Sequence, residues 1–150
     1  MLEFSFVTNT HRRSGGEGSN RRDRILIVDD DQDARELIGQ VLAEAGYLVE
    51  VAGDGFEAIA KLPRALPDLV LTDMRMPGMD GVDLAQRIRS QSDVPVVLTT
   101  GADTFDLCTK AEAYGAVACL TKPINLDELL WTIDCALACL RGANRVSASA

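Results

Sequence analysis

Short apolar segments alternate with amphipathic stretches from Arg24 onward, and the alternation occurs five times. The apolar segments have strand length and cover residues 25–28, 47–51, 69–71, 96–99 and 116–120. The stretches that follow them place apolar residues at helical spacing and predict helices over residues 34–45, 54–63, 81–90, 104–114 and 126–141. Alternating strands and helices with short connections are typical of right-handed crossovers and a parallel sheet covered on both faces. We therefore expect an α/β fold, a doubly wound (βα)5 domain with a five-stranded parallel sheet.

Polar residues at the segment ends support these boundaries. Asp33 and Glu36 form a capping-box pattern at the start of the first predicted helix, and Gly46 follows its end. Asp54 with Glu57 three residues later marks the start of the second. The first helix is expected to turn one apolar face inward, formed by Ala34, Leu37, Ile38, Val41, Leu42 and Ala45.

The last predicted helix has two apolar stripes instead of one. The stripe expected to face the core contains Leu126, Leu129, Leu130, Ile133, Leu137 and Leu140. A second stripe contains Trp131, Cys135, Ala138 and Cys139. An apolar outer face suggests a homodimer or partner surface, and partial burial of Trp131 against neighbouring elements explains it equally well.

Charge divides the 150-residue chain unevenly. Residues 1–24 contain five Arg and three acidic residues, so the other 126 residues carry −10 of a total net charge of −8. An acidic domain repels phosphate backbones, which argues against direct nucleic-acid binding. We expect a disordered Arg-, Gly- and Ser-rich leader over residues 1–23, one domain over 24–141 and a short flexible tail over 142–150.

Neither a membrane helix nor a signal peptide is predicted, so the expected location is cytoplasmic. Four cysteines without a CxxC pair, and a single histidine at His11 in the polar leader, make a zinc site improbable. We interpret Cys108, Cys119, Cys135 and Cys139 as small, buried or half-buried apolar residues.

Carboxylates follow two of the predicted strands. Asp73 ends the third, before a turn rich in Pro and Gly, and Asp29 and Asp30 follow the first. The carboxyl ends of parallel strands meet at the edge where such sheets bind ligands. Oxygen-rich side chains at that edge predict a magnesium site. Helix capping by Asp31 or Asp33 is the alternative explanation for the first cluster.

Two further strand ends add a hydroxyl and a cation at the same edge. The fourth strand ends in Thr99 and Thr100 before Gly101, and Lys122 and Pro123 follow the fifth. A hydroxyl, an amide and an ammonium can contact a phosphoryl group. Each signal alone is weak, but together they point to phosphoryl chemistry at Asp73.

The segments that carry these residues resemble the response-regulator receiver domains of two-component signalling, in their single-domain, chemotaxis-regulator-like form. The matching segments are residues 25–31 (ILIVDDD), 72–81 (TDMRMPGMDG), 95–101 (PVVLTTG) and 115–123 (GAVACLTKP). The resemblance covers about residues 24–141 and implies a flavodoxin-like sheet of strand order 2-1-3-4-5 and a cis Lys122–Pro123 bond.

Residue by residue, the resemblance implies a phosphoacceptor switch and not an enzyme. Asp73 would accept a phosphoryl group from a sensor histidine kinase or a histidine phosphotransfer protein. Asp29, Asp30, Asp73 and the backbone carbonyl of Arg75 would hold Mg²⁺. Thr100 would be the switching hydroxyl and Lys122 the phosphate-contacting cation. The signal would pass to a protein partner on the face of the fourth helix, fifth strand and fifth helix.

The chain departs from the family pattern at Cys119, where receivers usually carry Tyr or Phe. We expect coupling to run through Thr100 and backbone shifts instead. A receiver that acts only as a phosphorylation-independent scaffold is one alternative. Another is a haloacid-dehalogenase-type phosphohydrolase with Asp29 as nucleophile, although its motif lacks the final Thr or Val here. We expect a complete small protein without an output domain; a domain of a larger regulator is the other interpretation.

Overall fold

The fold is seen in a computed structural model that describes residues 22–101 and 111–149, with side chains up to residue 140. The predicted leader up to residue 21, including His11, and Cys108 lie outside the described residues. Five parallel strands form one sheet in the order β2-β1-β3-β4-β5, which confirms the expected fold and strand order. The strands are β1 (Arg24–Val28), β2 (Leu48–Ala52), β3 (Leu69–Asp73), β4 (Val96–Thr100) and β5 (Ala118–Thr121).

Four α-helices are described: α1 (Gln32–Glu44), α2 (Gly55–Ala65), α3 (Gly81–Gln91) and α4 (Leu126–Ser149). The helix predicted over residues 104–114 falls largely outside the described residues, and its end, Ala111–Tyr114, is a 3-10 helix. We number the last helix α4 accordingly; it is the fifth predicted from the sequence.

Successive side chains along each strand point to opposite faces of the sheet, so the domain has two hydrophobic cores, one on each face. Ile25 and Leu71 face one side and pack with Leu42 of α1 and Ile133 of α4. The neighbouring strand positions face the other side, where α2 and α3 cover them; this second core includes Leu26, Val70, Leu98, Ala58, Leu84 and Ile88. The sheet is therefore buried on both faces and holds its carboxyl edge rigid.

Two of the predicted boundaries of α1 and α2 need correction. Asp31, not Asp33, caps α1: it has an extended backbone, and its carboxylate accepts a hydrogen bond from the Asp33 amide at 3.0 Å. Asp54 caps α2 as expected and accepts from the amide of Glu57 at 2.8 Å. Pro63 does not end α2, because in the last turn it removes only its own donor; the helix ends at Leu66 in the left-handed conformation.

The buried face of α1 is narrower than the sequence pattern predicts. Leu42 and Ala45 are buried, but Leu37 is 58% exposed and lies beside the groove between α1 and α4. Helical periodicity identifies the apolar face, but the covering element decides how much of that face is buried.

The C-terminal helix runs to Ser149, eight residues beyond the predicted end at Arg141. Its inner stripe is buried as predicted at Leu129, Leu130, Ile133 and Leu137. Trp131 is 69% exposed, so of the two explanations for the outer stripe the structure favours an exposed surface over partial burial against neighbouring elements. Within the described ranges, no helix has both the length and the apolarity needed to cross a membrane.

Candidate functional site

The structure brings Asp29, Asp30 and Asp73 together at the carboxyl edge of the sheet. β1 and β3 are neighbours in parallel register, so the residues after β1 lie beside the last residue of β3. One carboxylate oxygen from each lies within 4.8 Å of the others. Oxygens on opposite sides of an octahedral magnesium ion are about 4.2 Å apart, so this donor set fits one such ion after a small closure.

Lys122, just after β5, supplies a positive charge to the same cluster. Its Nζ lies 3.4 Å from Oδ1 of Asp73 and 3.6 Å from Oδ2 of Asp29. The Lys122–Pro123 peptide bond is cis, as the resemblance implies. The ammonium therefore touches two of the three carboxylates and partly offsets their repulsion.

Burial raises the pKa of the Asp73 carboxyl above its ordinary value, and the nearby charge of Asp29 raises that pKa further. The ammonium of Lys122 and a hydrogen bond from the Arg75 amide lower the pKa, but they do not cancel the first two effects. The site thus disfavours the charged form of Asp73, and a bound cation would relieve that cost.

Backbone contacts fix where the Asp29 carboxylate stands. Its amide donates to the carbonyl of Ala52 at 3.2 Å, and its Oδ1 accepts from the amide of Asp31 at 2.9 Å. The guanidinium of Arg35 donates to the Asp29 carbonyl at 2.6 Å. Arg35 belongs to no motif of the sequence, although its place four residues after the cap Asp31 puts it on the α1 turn nearest the strand end.

The two threonines of β4 occupy different positions. Register pairs Asp73 with Thr99, and Thr99 lines the groove that contains Asp73. Thr100, the predicted switching residue, lies one residue further on, is buried, and pairs with Thr121. Its carbonyl accepts from the Lys122 amide at 2.6 Å. Thr100 is therefore joined to the site through the main chain of Lys122.

Tight packing holds the loop after Asp73. The amide of Met74 donates to the main-chain carbonyl of Thr99 at 2.8 Å, and the amide of Gly81 donates to the carbonyl of Met74 at 2.7 Å. A side chain at Gly81 would strike the Asp73 carbonyl, so only glycine fits at the start of α3. Arg75, whose carbonyl was predicted to bind metal, lies in this loop with an exposed side chain.

An apolar groove of about 340 Å³ opens beside the acidic cluster, between α1 and α4. Asp29, Asp73 and Lys122 line its polar end. Apolar side chains line the rest: Ala34, Leu37, Ile38, Ile124, Leu126 and Leu129. A molecule bound in the groove would lie against the Asp73 carboxylate.

Two of the three described cysteines differ from their expected role as buried or half-buried apolar residues. Cys135 is half-buried, as expected, but Cys139 is exposed; both are free thiols. Cys119 is half-buried and disulfide-bonded, and its partner lies outside the described residues. An interpretation of Cys119 as a simple apolar residue is therefore wrong.

The fold is a doubly wound α/β domain, and the carboxyl edge of its sheet carries carboxylates at the ends of β1 and β3 and a lysine after β5. Residues 25–134 match the model of the response regulator receiver domain. The chain belongs to this family, the phosphoacceptor module of two-component signalling.

Two curated relatives illustrate the match. The transcriptional regulatory protein PdtaR of Mycobacterium tuberculosis is 38% identical over 119 residues, which cover 79% of this chain and 58% of PdtaR. The DNA-binding response regulator MtrA of Mycobacterium leprae is 41% identical over 110 residues, which cover 73% of this chain and 48% of MtrA. The chain thus spans about half the length of these curated relatives.

A crystal structure of a response regulator from Chloroflexus aurantiacus is similar throughout the domain. Its TM-score is 0.74 at 33% identity, and the match covers 79% of this chain and 99% of that one. The family match and the place of Asp73 on β3 do not favour a haloacid-dehalogenase-type hydrolase, whose nucleophile follows the first strand.

Proposed function

We propose that Asp73 accepts a phosphoryl group in a Mg²⁺-dependent reaction and that the chain acts as a switch, not as an enzyme. The observation that carries this proposal is the position of the Asp73 carboxylate. It lies within 4.8 Å of two other carboxylates and 3.4 Å from an ammonium, at the ligand-binding edge of the sheet.

Asp29, Asp30, Asp73 and the carbonyl of Arg75 are the proposed metal ligands. Carboxylate and carbonyl oxygens are the donors that Mg²⁺ prefers, with water completing its shell. The ion would neutralise charge on the transferring phosphoryl group. Asp29 is almost fully buried and its backbone is fixed, so it orients the set, whereas the exposed Asp30 can adjust.

In the proposed transfer, an oxygen of Asp73 forms a bond to phosphorus while the bond from phosphorus to the donor histidine nitrogen breaks. Lys122 already contacts Asp73 and needs only a small movement to pair with a phosphoryl oxygen. Since the Lys122 amide is bonded to Thr100, that movement also pulls on the end of β4. The Thr100 hydroxyl is the proposed second contact of the phosphoryl group.

The proposed phosphodonor is a sensor histidine kinase or a histidine phosphotransfer protein in the cytoplasm. A donor must bring its histidine to Asp73, and the groove between α1 and α4 offers apolar contacts beside that carboxylate. Leu37 and Leu126 line the groove and are 58% and 37% exposed. The downstream partner would be a protein on the face that includes β5 and α4.

A homodimer through the outer stripe of α4 is a further part of the proposal. Trp131 and Cys139 are exposed on this helix and Cys135 is half-buried, and large exposed aromatics are common at interfaces. Light scattering of wild type and Trp131→Glu tests it: a dimer that becomes a monomer in the variant supports it. A wild-type monomer contradicts it.

Phosphorylation is tested by intact mass after incubation with Mg²⁺ and acetyl phosphate. We expect wild type to gain one phosphoryl group and Asp73→Asn to gain none. Asp29→Asn should gain it slowly and only at high Mg²⁺. Asp93→Asn, at an exposed carboxylate outside the site, is the matched control and should behave as wild type.

Two outcomes would contradict the proposal in different ways. An adduct that persists in Asp73→Asn but disappears in Asp29→Asn would indicate the hydrolase chemistry. No adduct in wild type, despite measurable Mg²⁺ binding, would indicate a phosphorylation-independent scaffold.

A further inference from the structure

Arg35 is a cation beside the acidic cluster that the proposed reaction does not use. It lies in the first turns of α1, and its Nη1 donates to the backbone carbonyl of Asp29 at 2.6 Å. No ion pair of Arg35 with Asp29, Asp30 or Asp73 is found among the described residues. Its contact is with the main chain of a proposed ligand and not with the carboxylates themselves.

The guanidinium has an acidic neighbour, Glu57. A Cβ at Gly53 would lie 3.5 Å, an ordinary contact distance, from both Nη1 of Arg35 and Oε1 of Glu57, so the two groups lie close to the same point. Oε1 of Glu57 accepts from the Gly53 amide at 2.8 Å, and the pKa of Glu57 is lowered chiefly by that bond. An ionised Glu57 thus favours a cation at this place.

The main chain of Asp29 is therefore held at both of its polar groups, the amide and the carbonyl. Its amide is bonded to Ala52 at the end of β2, and its carbonyl is bonded to Arg35 on α1. Two like-charged neighbours repel its carboxylate, so without such anchors the chain after β1 would relax away from Asp73. A displaced carboxylate would no longer meet the near-ideal geometry that Mg²⁺ requires.

We propose that Arg35 is a positioning residue of the metal site: its hydrogen bond to the Asp29 carbonyl keeps the Asp29 carboxylate in ligand position. This inference rests on the proposed Mg²⁺ site and adds a residue to it. Residues that orient metal ligands commonly change metal affinity about 10- to 100-fold when removed.

A positioning role and a purely electrostatic role of Arg35 predict opposite changes in Mg²⁺ affinity when the guanidinium is removed. If Arg35 acted only through its charge, its removal would relieve repulsion of a divalent cation and tighten Mg²⁺ binding. If it acts by positioning, its removal weakens binding, although a repelling charge is gone. The sign of the change therefore separates the two explanations.

The test measures Mg²⁺ binding by titration calorimetry without phosphodonor, for wild type, Arg35→Gln, Arg35→Lys and Asp29→Asn. Arg87→Gln, which removes an exposed arginine from α3, is the matched control. We expect Arg35→Gln to raise the Kd about tenfold and Arg35→Lys, which keeps the charge and one donor, to raise it less. The control should keep the wild-type Kd.

A kinetic experiment adds a readout that a general loss of structure would not give. With acetyl phosphate as donor, the Mg²⁺ concentration for half-maximal rate should rise in Arg35→Gln by the same factor as the Kd. The rate at saturating Mg²⁺ should change less than about twofold, because no reacting atom is altered. Circular dichroism melts in EDTA identify a variant that does not fold, and Arg35→Lys then carries the test.

An unchanged or lower Kd in Arg35→Gln overturns the inference. If Asp29→Asn binds Mg²⁺ as wild type does, the metal site itself is wrong and the proposed function fails with it. If Asp29→Asn loses binding while both Arg35 variants keep it, only the role of Arg35 is refuted.

Discussion

Removing the charge of Asp73 is expected to stabilise the metal-free protein, although Asp73 is the proposed reactive residue. Oxygens of Asp29 and Asp30 lie within 4.8 Å of one of Asp73, so at an effective dielectric constant of about 20 each repulsion is at least about 3.5 kcal/mol. The attraction to Lys122 at 3.4 Å is worth about 5 kcal/mol on the same scale. These charge–charge interactions together disfavour the charge of Asp73 by about 2 kcal/mol before solvent screening, and burial of the carboxylate, the largest cause of its raised pKa, disfavours that charge further.

Solvent reduces this figure, since Asp30 is exposed and the Lys122 side chain is 36% exposed, whereas that of Asp73 is only 12% exposed. We expect Asp73→Asn to be about 1 to 2 kcal/mol more stable than wild type in EDTA at pH 7. For a domain of this size, that gain raises Tm by roughly 3 to 8 °C. Asp93→Asn, at an exposed carboxylate, should stay within about 0.5 kcal/mol of wild type.

In the presence of Mg²⁺, wild type should be more stable than Asp73→Asn. A ligand at about 100 times its Kd stabilises the native state by about 2.7 kcal/mol, and asparagine lacks the ionised oxygen that the ion would bind. Urea denaturation with and without Mg²⁺ gives both differences directly. If Asp73→Asn were 1 kcal/mol or more less stable than wild type in EDTA, the Lys122 pair would outweigh the repulsion, and the reasoning would be refuted.

The pH dependence has a definite sign. The pKa of Asp73 is raised in the native state, so the native protein binds a proton there more readily than the unfolded chain does. The destabilisation caused by the charge of Asp73 is absent below the ordinary carboxyl pKa and grows as the pH rises through the raised native pKa. The advantage of Asp73→Asn should thus shrink as the pH falls from 7 towards 4, and an advantage that grows would contradict this.

Four further predictions concern packing, docking and coupling. Gly81→Ala should lose about 2 to 3 kcal/mol in urea denaturation, because its side chain would meet the Asp73 carbonyl and lie 2.8 Å from Cα of Met74. Gly39→Ala, within α1 and only in ordinary contact with Val49, should gain about 0.5 to 1 kcal/mol. Leu37→Asp should keep the wild-type stability and acetyl-phosphate rate but slow transfer from a phosphodonor protein; equal transfer rates would exclude the groove as the docking site. Cys119→Ala, compared with wild type under reducing conditions so that neither protein has the disulfide of Cys119, should keep phosphorylation-dependent partner binding in a pull-down assay. Loss of that binding in the variant alone would contradict coupling through Thr100.

The sheet and its acidic edge could be predicted because they depend on periodicity and chain direction alone. Alternating strands and helices leave few topologies, and parallel strands place their ends together whatever the details of packing. That is why Asp29, Asp30, Asp73 and Lys122 could be expected to meet before any distance was known. The distances now show that they do.

Features that depend on local backbone geometry or on a covering element could not be predicted in this way. Asp31 and Asp33 are chemically equivalent as caps, and only the extended backbone of Asp31 decides between them. The exposure of Leu37 depends on the distance between α1 and α4, which no pattern within α1 encodes. The hydrogen bond from the Arg35 side chain is accepted by the main-chain carbonyl of Asp29. Every residue has such a carbonyl, so the sequence does not indicate which one accepts.

The contacts around Lys122 suggest how a change at Asp73 reaches the surface without an aromatic switch. Its side chain touches Asp73 and Asp29, while its amide is bonded to the Thr100 carbonyl at the end of β4. A phosphoryl group on Asp73 adds charge and acceptor oxygens, so the ammonium gains a new partner while its main chain remains tied to β4. Cys119 lies three residues earlier, in β5, and has no aromatic ring, so a ring rotation at that position is not available. Movement of the two strand ends is then the route that the described contacts favour.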